Sequence, residues 1–104
     1  MFEEPRDALY LLQRWYLEQC NDEWEHSFGV SIETLDNPGW SVRVELKETS
    51  LKAKTQDWSK LDRSEHDWVH WRIEDGVYEA VCGPTNLNEA ILAFLDIAGA
   101  RGPA

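Results

Sequence analysis

Apolar residues recur at three- and four-residue spacing through Leu9, Leu12, Trp15, Tyr16 and Cys20, which predicts an amphipathic helix over residues 5–21. Pro5 suits a first turn, and Asp7 suits the positive end of the helix dipole. Asn21-Asp22-Glu23 ends the pattern. The period then changes to two. Phe28, Val30 and Ile32 alternate with Gly29, Ser31 and Glu33, and Trp40, Val42, Val44 and Leu46 alternate with Ser41, Arg43, Glu45 and Lys47. Each run reads as a strand with one apolar face, as in an antiparallel sheet wetted on its other side. Between them, Leu35-Asp36-Asn37-Pro38-Gly39 joins side-chain turn formers, a preset φ and a glycine, which signals a hairpin.

Residues 49–66 mix Lys, Thr, Asp and Ser around Leu51, Trp58 and Leu61 and read as a loop, with a short strand near Leu51 or a helical turn near Ser59 as alternatives. Val69, Trp71 and Ile73 then alternate with His70, Arg72 and Glu74, Asp75-Gly76 fits a tight turn, and Val77 to Cys82 returns as a strand. Gly83-Pro84 breaks the sheet. Asn86 with Glu89 three residues on reads as a capping box, and Leu87, Ile91, Leu92, Leu95 and Ala98 form the buried stripe of a last helix. Gly99 ends it, leaving a frayed tail to Ala104. The expectation is one α+β domain over residues 1–104: an antiparallel sheet of about four strands in two hairpins, flanked by an N-terminal and a C-terminal helix that cover one face.

Composition adds two constraints. Twenty acidic and ten basic side chains give a net charge of -10, and residues 1–35 hold eight of the acids but two of the bases. Such a surface repels nucleic acid and anionic membranes, so neither is expected as a ligand, whereas a basic protein partner is attracted. Six tryptophans in 104 residues exceed what a small core absorbs, and each wants a partner for its indole N–H. The charged start, Met1 to Asp7, lacks the apolar stretch of a secretory signal, and no apolar run approaches the ~20 residues of a membrane span. The expected compartment is therefore cytoplasmic, where Cys20 and Cys82 read as reduced core residues without metal-ligand spacing.

Candidate chemistry is sparse. His26 beside Glu25, with Asp36 further on, has the residue types for acid–base work, and a small acidic enzyme or ligand-binding domain using His26, Glu25 and Asp36 is the alternative reading. Yet no nucleophile elbow or glycine-rich phosphate loop accompanies them, so no catalytic residue is assigned. His66 and His70 lie four apart, but along a strand that spacing separates them by ~13 Å. No further ligands are evident, and neither a metal nor a cofactor is expected.

A recognition cluster carries more. Trp24, Glu25 and His26, with Glu23 before them, and then Asp36 and Asn37, put aromatic and acidic side chains into the connections around the first strand. Aromatic anchors with acidic rims suit a lysine- or arginine-rich protein surface, so these six are the expected partner-binding residues. Trp15, Tyr16, Pro38, Gly39, Trp40 and Trp71 are expected to be structural.

Trp15-Tyr16, Gln19-Cys20, Trp24-Glu25-His26, Thr34-Leu35-Asp36-Asn37-Pro38-Gly39-Trp40, Asp67-Trp68 and Gly83-Pro84-x-Asn86-Leu87-x-Glu89, in this order from Leu9 to Ile97, resemble the immunity protein 53 family of bacterial polymorphic toxin systems. The resemblance implies an α+β protein, made by the toxin-bearing cell, that binds and blocks a cognate toxin domain; for this chain either a monomer or a homodimer is expected. It implies no enzymatic activity and no cofactor. Glycine is common in that family where this chain has Asp22, which bears on the local conformation before Trp24.

Overall fold

The computed structural model describes residues 7–100, so the expectations for Pro5 and for the tail beyond Ala100 lie outside the described residues. Three helices, α1 (Ala8–Gln19), α2 (Trp24–Ser27) and α3 (Leu87–Ala98), accompany five strands, β1 (Val30–Leu35), β2 (Gly39–Glu45), β3 (Gln56–Ser64), β4 (Asp67–Glu74) and β5 (Val77–Cys82). The class is α+β, and the strands form one antiparallel sheet in the order β1-β2-β5-β4-β3. The chain therefore leaves the β1–β2 hairpin, crosses to the far edge, and fills the sheet back towards β2 as a three-stranded meander.

The fifth strand, β3, corrects the loop expected over residues 49–66. It was hidden because it is an edge strand with almost no buried side chain. Its two large apolar residues also break alternation: Leu61 lies opposite Val69 on the helix side, whereas the Arg72 guanidinium sits 4.8 Å from the centre of the Trp58 ring on the other face. Register shifts between Gln56 and Ser59 and between Asp62 and Ser64 erase the period that a sequence reading needs.

The core lies between the sheet and the two long helices. Val42, Val44, Val69, Ile73, Tyr78, Ala80 and Cys82 are buried on one face of the sheet. Leu11, Leu12 and Trp15 of α1 and Ala90, Ile91, Phe94 and Leu95 of α3 close over them. Phe94, absent from the expected stripe, is its centre: its ring stands 4.9 Å from Trp15 and 5.2 Å from Tyr78. The Tyr78 hydroxyl donates to the Ala90 carbonyl at 2.7 Å, which satisfies a polar group that is otherwise fully buried. Trp71 and Trp40 pack half-buried at the rim of this core, and the Trp40 indole N–H reaches the Pro84 carbonyl at 3.1 Å.

The helix ends show one agreement and one correction. Asp7 caps α1, accepting from the Tyr10 amide at 2.8 Å. Asn86 is the first-turn boundary of α3, but its side chain does not cap the helix. It stays buried and turns toward the start of β4 instead. Its carbonyl accepts from the Trp68 amide, and its Nδ2 donates to Asp67 at 2.9 Å and to Glu89 at 3.1 Å. The expected capping box is thus spent on binding α3 to the start of β4. Arg63 bridges the same two carboxylates from the β3 end. Cys82 is fully buried, and burial pushes its thiol up to about 11, while Cys20 is half-buried; both thiols are free. No helix among the described residues is long and apolar enough to cross a membrane.

Candidate protein-binding surface

Asn21 and Glu25 build the connection after α1. The Asn21 side-chain oxygen accepts from the amides of Glu23 and Trp24, and the Glu25 carboxylate accepts from those of Asn21 and Asp22, both at 2.9 Å. Main-chain hydrogen bonds, its own amide first, hold the Glu25 carboxyl below the usual range. Asp22 stands in the left-handed region with φ +76°, a conformation suited to glycine and tolerated by aspartate. One helical turn follows, and of its four residues only Trp24 is buried.

That turn sends Trp24 inward. Its indole is 2% exposed, donates to the Lys47 carbonyl at 3.0 Å, and lies 6.0 Å from Trp15 and 5.9 Å from Tyr16. Among the expected recognition residues it is the one placed in the core. Glu23 and His26 are exposed, and Glu25 is half-buried in its own turn. Glu23 and His26 border a shallow depression with Asp22, Phe28 and Glu48, and Glu48 is itself left-handed at φ +61°.

Asp36 and Asn37 are exposed in the turn at the other end of β1. The strand between places them roughly 20 Å from His26, at about 3.3 Å per residue. His26, Glu25 and Asp36 therefore do not converge on one pocket, which the enzyme reading required. His66 and His70 also part: His66 faces solvent beside Glu65, while His70 bonds Asp62 at 2.8 Å. Among the described residues, no group of three or more His, Cys, Asp or Glu side chains is placed to hold a metal.

Of the expected structural residues, Trp15 is buried and Trp40 and Trp71 are packed at the core rim, whereas Tyr16 is 39% exposed. Gly39 is required by close approach: a Cβ there would lie 2.2 Å from the Cys82 carbonyl oxygen. Pro38 is exposed in the turn before it.

The sheet face away from the helices carries none of the expected partner-binding residues. The strand registers place Ser41, Val81, His70 and Lys60 in one row, and Arg43, Glu79 and Arg72 in the next. Glu79 draws the second row together, 3.7 Å from Arg43 and 3.1 Å from Arg72, and Arg72 reaches on to the Trp58 ring. Trp68 lies beside His70, ring centres 5.1 Å apart. The signal was present in β4, whose outward positions are Trp68, His70 and Arg72 rather than small polar residues.

The surface is thus shallow, acidic at both ends of β1, and carries aromatic and guanidinium groups across the open sheet. The model of the family described as immunity protein 53 matches residues 9–99. No curated protein and no solved structure matches the chain. The match covers all but the termini, and the chain belongs to the immunity protein 53 family.

Proposed function

We propose that this protein neutralises a cognate bacterial polymorphic toxin by binding it, without catalysis or a cofactor, in the cytoplasm of the cell that makes both. Membership of the immunity protein 53 family carries the reading. The net charge of -10 supports a basic partner, because opposite charge accelerates encounter and excludes anionic competitors. Glu23, Glu25 and His26 at one end of β1 and Asp36 and Asn37 at the other are the residues we assign to partner contact. Trp24 supports the first group from behind, since its buried ring fixes the turn that displays them.

The test is co-expression with the toxin domain encoded beside this protein's gene. Cells should survive induction of the toxin when the protein is present and die without it. Equal killing in both cases removes the proposal. The enzyme alternative has lost its support, because its three residues lie at opposite ends of a strand.

A further inference from the structure

The two edges of the sheet are built differently. β3 is interrupted by two register shifts and carries Asp57, Lys60, Asp62 and Arg63, devices that discourage further pairing. β1 has neither. Its sequence, Val30-Ser31-Ile32-Glu33-Thr34-Leu35, pairs with β2 in unbroken register and carries a single charge. Among the described residues no strand lies on its outer side.

The hydrogen-bond phase says which groups face outward. The Gly29 carbonyl accepts from the Glu45 amide at 3.0 Å, one step before the pairing of Val30 with Val44. In an antiparallel ladder, bonded and non-bonded pairs alternate. Ser31, Glu33 and Leu35 therefore bond β2, and the amides and carbonyls of Val30, Ile32 and Thr34 point away from the sheet. The side chains of these same three residues lie on the helix side, where Leu9, Leu12, Gln13, Tyr16 and Val30 line an apolar depression of about 240 Å³. Leu9 is 54% exposed there.

We infer that β1 is the docking strand of this protein, and that its occupant is an extended segment of the toxin with alternating apolar and basic residues. This rests on the proposed immunity function. A paired segment gains main-chain hydrogen bonds from Val30, Ile32 and Thr34, and its alternate side chains take up the two flanking environments. Those on the helix side enter the depression beside Leu9 and Tyr16. Those on the open side lie along Glu33. The charge selects this occupant over a second copy of the chain. Residues 7–36, which form α1, α2, β1 and its turn, carry seven carboxylates and one guanidinium, Arg14. Edge-to-edge pairing of two copies sets that excess against itself, whereas a lysine- or arginine-bearing strand meets it with opposite sign.

The test uses the full chain and the toxin domain encoded beside its gene. Thr34→Pro removes an amide that faces away from β2, at an exposed position where an edge strand accepts proline. It should fold, and its affinity for the toxin should fall at least tenfold, while Ser64→Ala, exposed and uncharged at the end of the opposite edge strand, should bind as the unaltered protein does. Amide hydrogen exchange on the unaltered protein needs no variant: Val30, Ile32 and Thr34 should exchange fast alone and slow in the complex. A folded Thr34→Pro that binds within twofold, or unchanged exchange at those three amides, overturns the docking strand and leaves immunity standing. Protection that appears without toxin and tracks a dimer in sedimentation overturns the occupant in favour of self-pairing. Failure of the unaltered protein to bind the toxin overturns the immunity reading and this inference with it.

Discussion

The indole N–H of Trp24 donates to the main-chain carbonyl of Lys47 at 3.0 Å, joining the single turn of α2 to the segment just beyond β2. The ring is 2% exposed and packs edge-on against Trp15. Truncating it removes a large buried ring and its hydrogen bond to the Lys47 carbonyl. Trp24→Ala should cost about 3–5 kcal/mol of stability in denaturant unfolding. A variant of unaltered stability that loses toxin binding would instead place the indole at the interface.

Glycine at the β1–β2 turn is fixed by its neighbour. A Cβ on Gly39 would stand 2.2 Å from the Cys82 oxygen, which is main chain and cannot rotate away. Gly39→Ala should cost about 1–3 kcal/mol or more, because β2 must move off β5. At Gly29 nothing lies within 4 Å of the same added carbon, so Gly29→Ala should change stability by about 0.5 kcal/mol or less. Thermal unfolding of the pair checks both.

Arg63, Asp67, Asn86 and Glu89 tie the β3–β4 hairpin to α3, and the network responds to acid. The Arg63 guanidinium, followed by the Asn86 amide, holds the carboxyl of Asp67 below its ordinary 3.8, and Arg63 likewise holds that of Glu89 below 4.5. A carboxyl with a lowered folded-state pKa binds its proton more readily when unfolded. Its stabilisation is complete above those ordinary values and is lost as pH falls through the folded ones. Unfolding followed from pH 6 down to pH 2 should show stability declining below about pH 4.5. Arg63→Met should flatten that decline. An equal slope in the variant would mean other carboxylates govern it.

Glu23 and Asp36 are exposed at opposite ends of β1 and are assigned to steering rather than to anchoring. Glu23→Lys and Asp36→Lys should each slow association with the toxin about threefold or more at low salt, with little change in dissociation rate. Raising salt to 0.5 M should shrink the difference. A change confined to dissociation would make these residues direct anchors.

Most of the fold could be read from periodicity. α1, α3, β2, β4 and β5 each bury one face, β1 half-buries Val30 and Ile32 on its own, and a one-sided burden leaves a period in the sequence. β3 buries almost nothing, so no period marks it; Trp58 and Leu61 serve opposite faces across a bulge. The site was legible only in part. A tryptophan between acids reads the same whether its ring points in or out, and the direction of Trp24 was decided by Asn21 and Glu25 folding the turn around it. Pairing of edges was not legible at all, because which strands end up outermost depends on the crossover from β2 to the far side of the sheet.

The most direct measurement titrates the activity of the toxin domain encoded beside this gene with increasing amounts of the protein. A binder removes activity in proportion to its own concentration, completely at a fixed stoichiometric ratio, and the activity returns when the complex is dissociated. The contradicting results are a toxin that stays fully active in excess protein, or one that is permanently inactivated by a small fraction of an equivalent, as a catalyst would do.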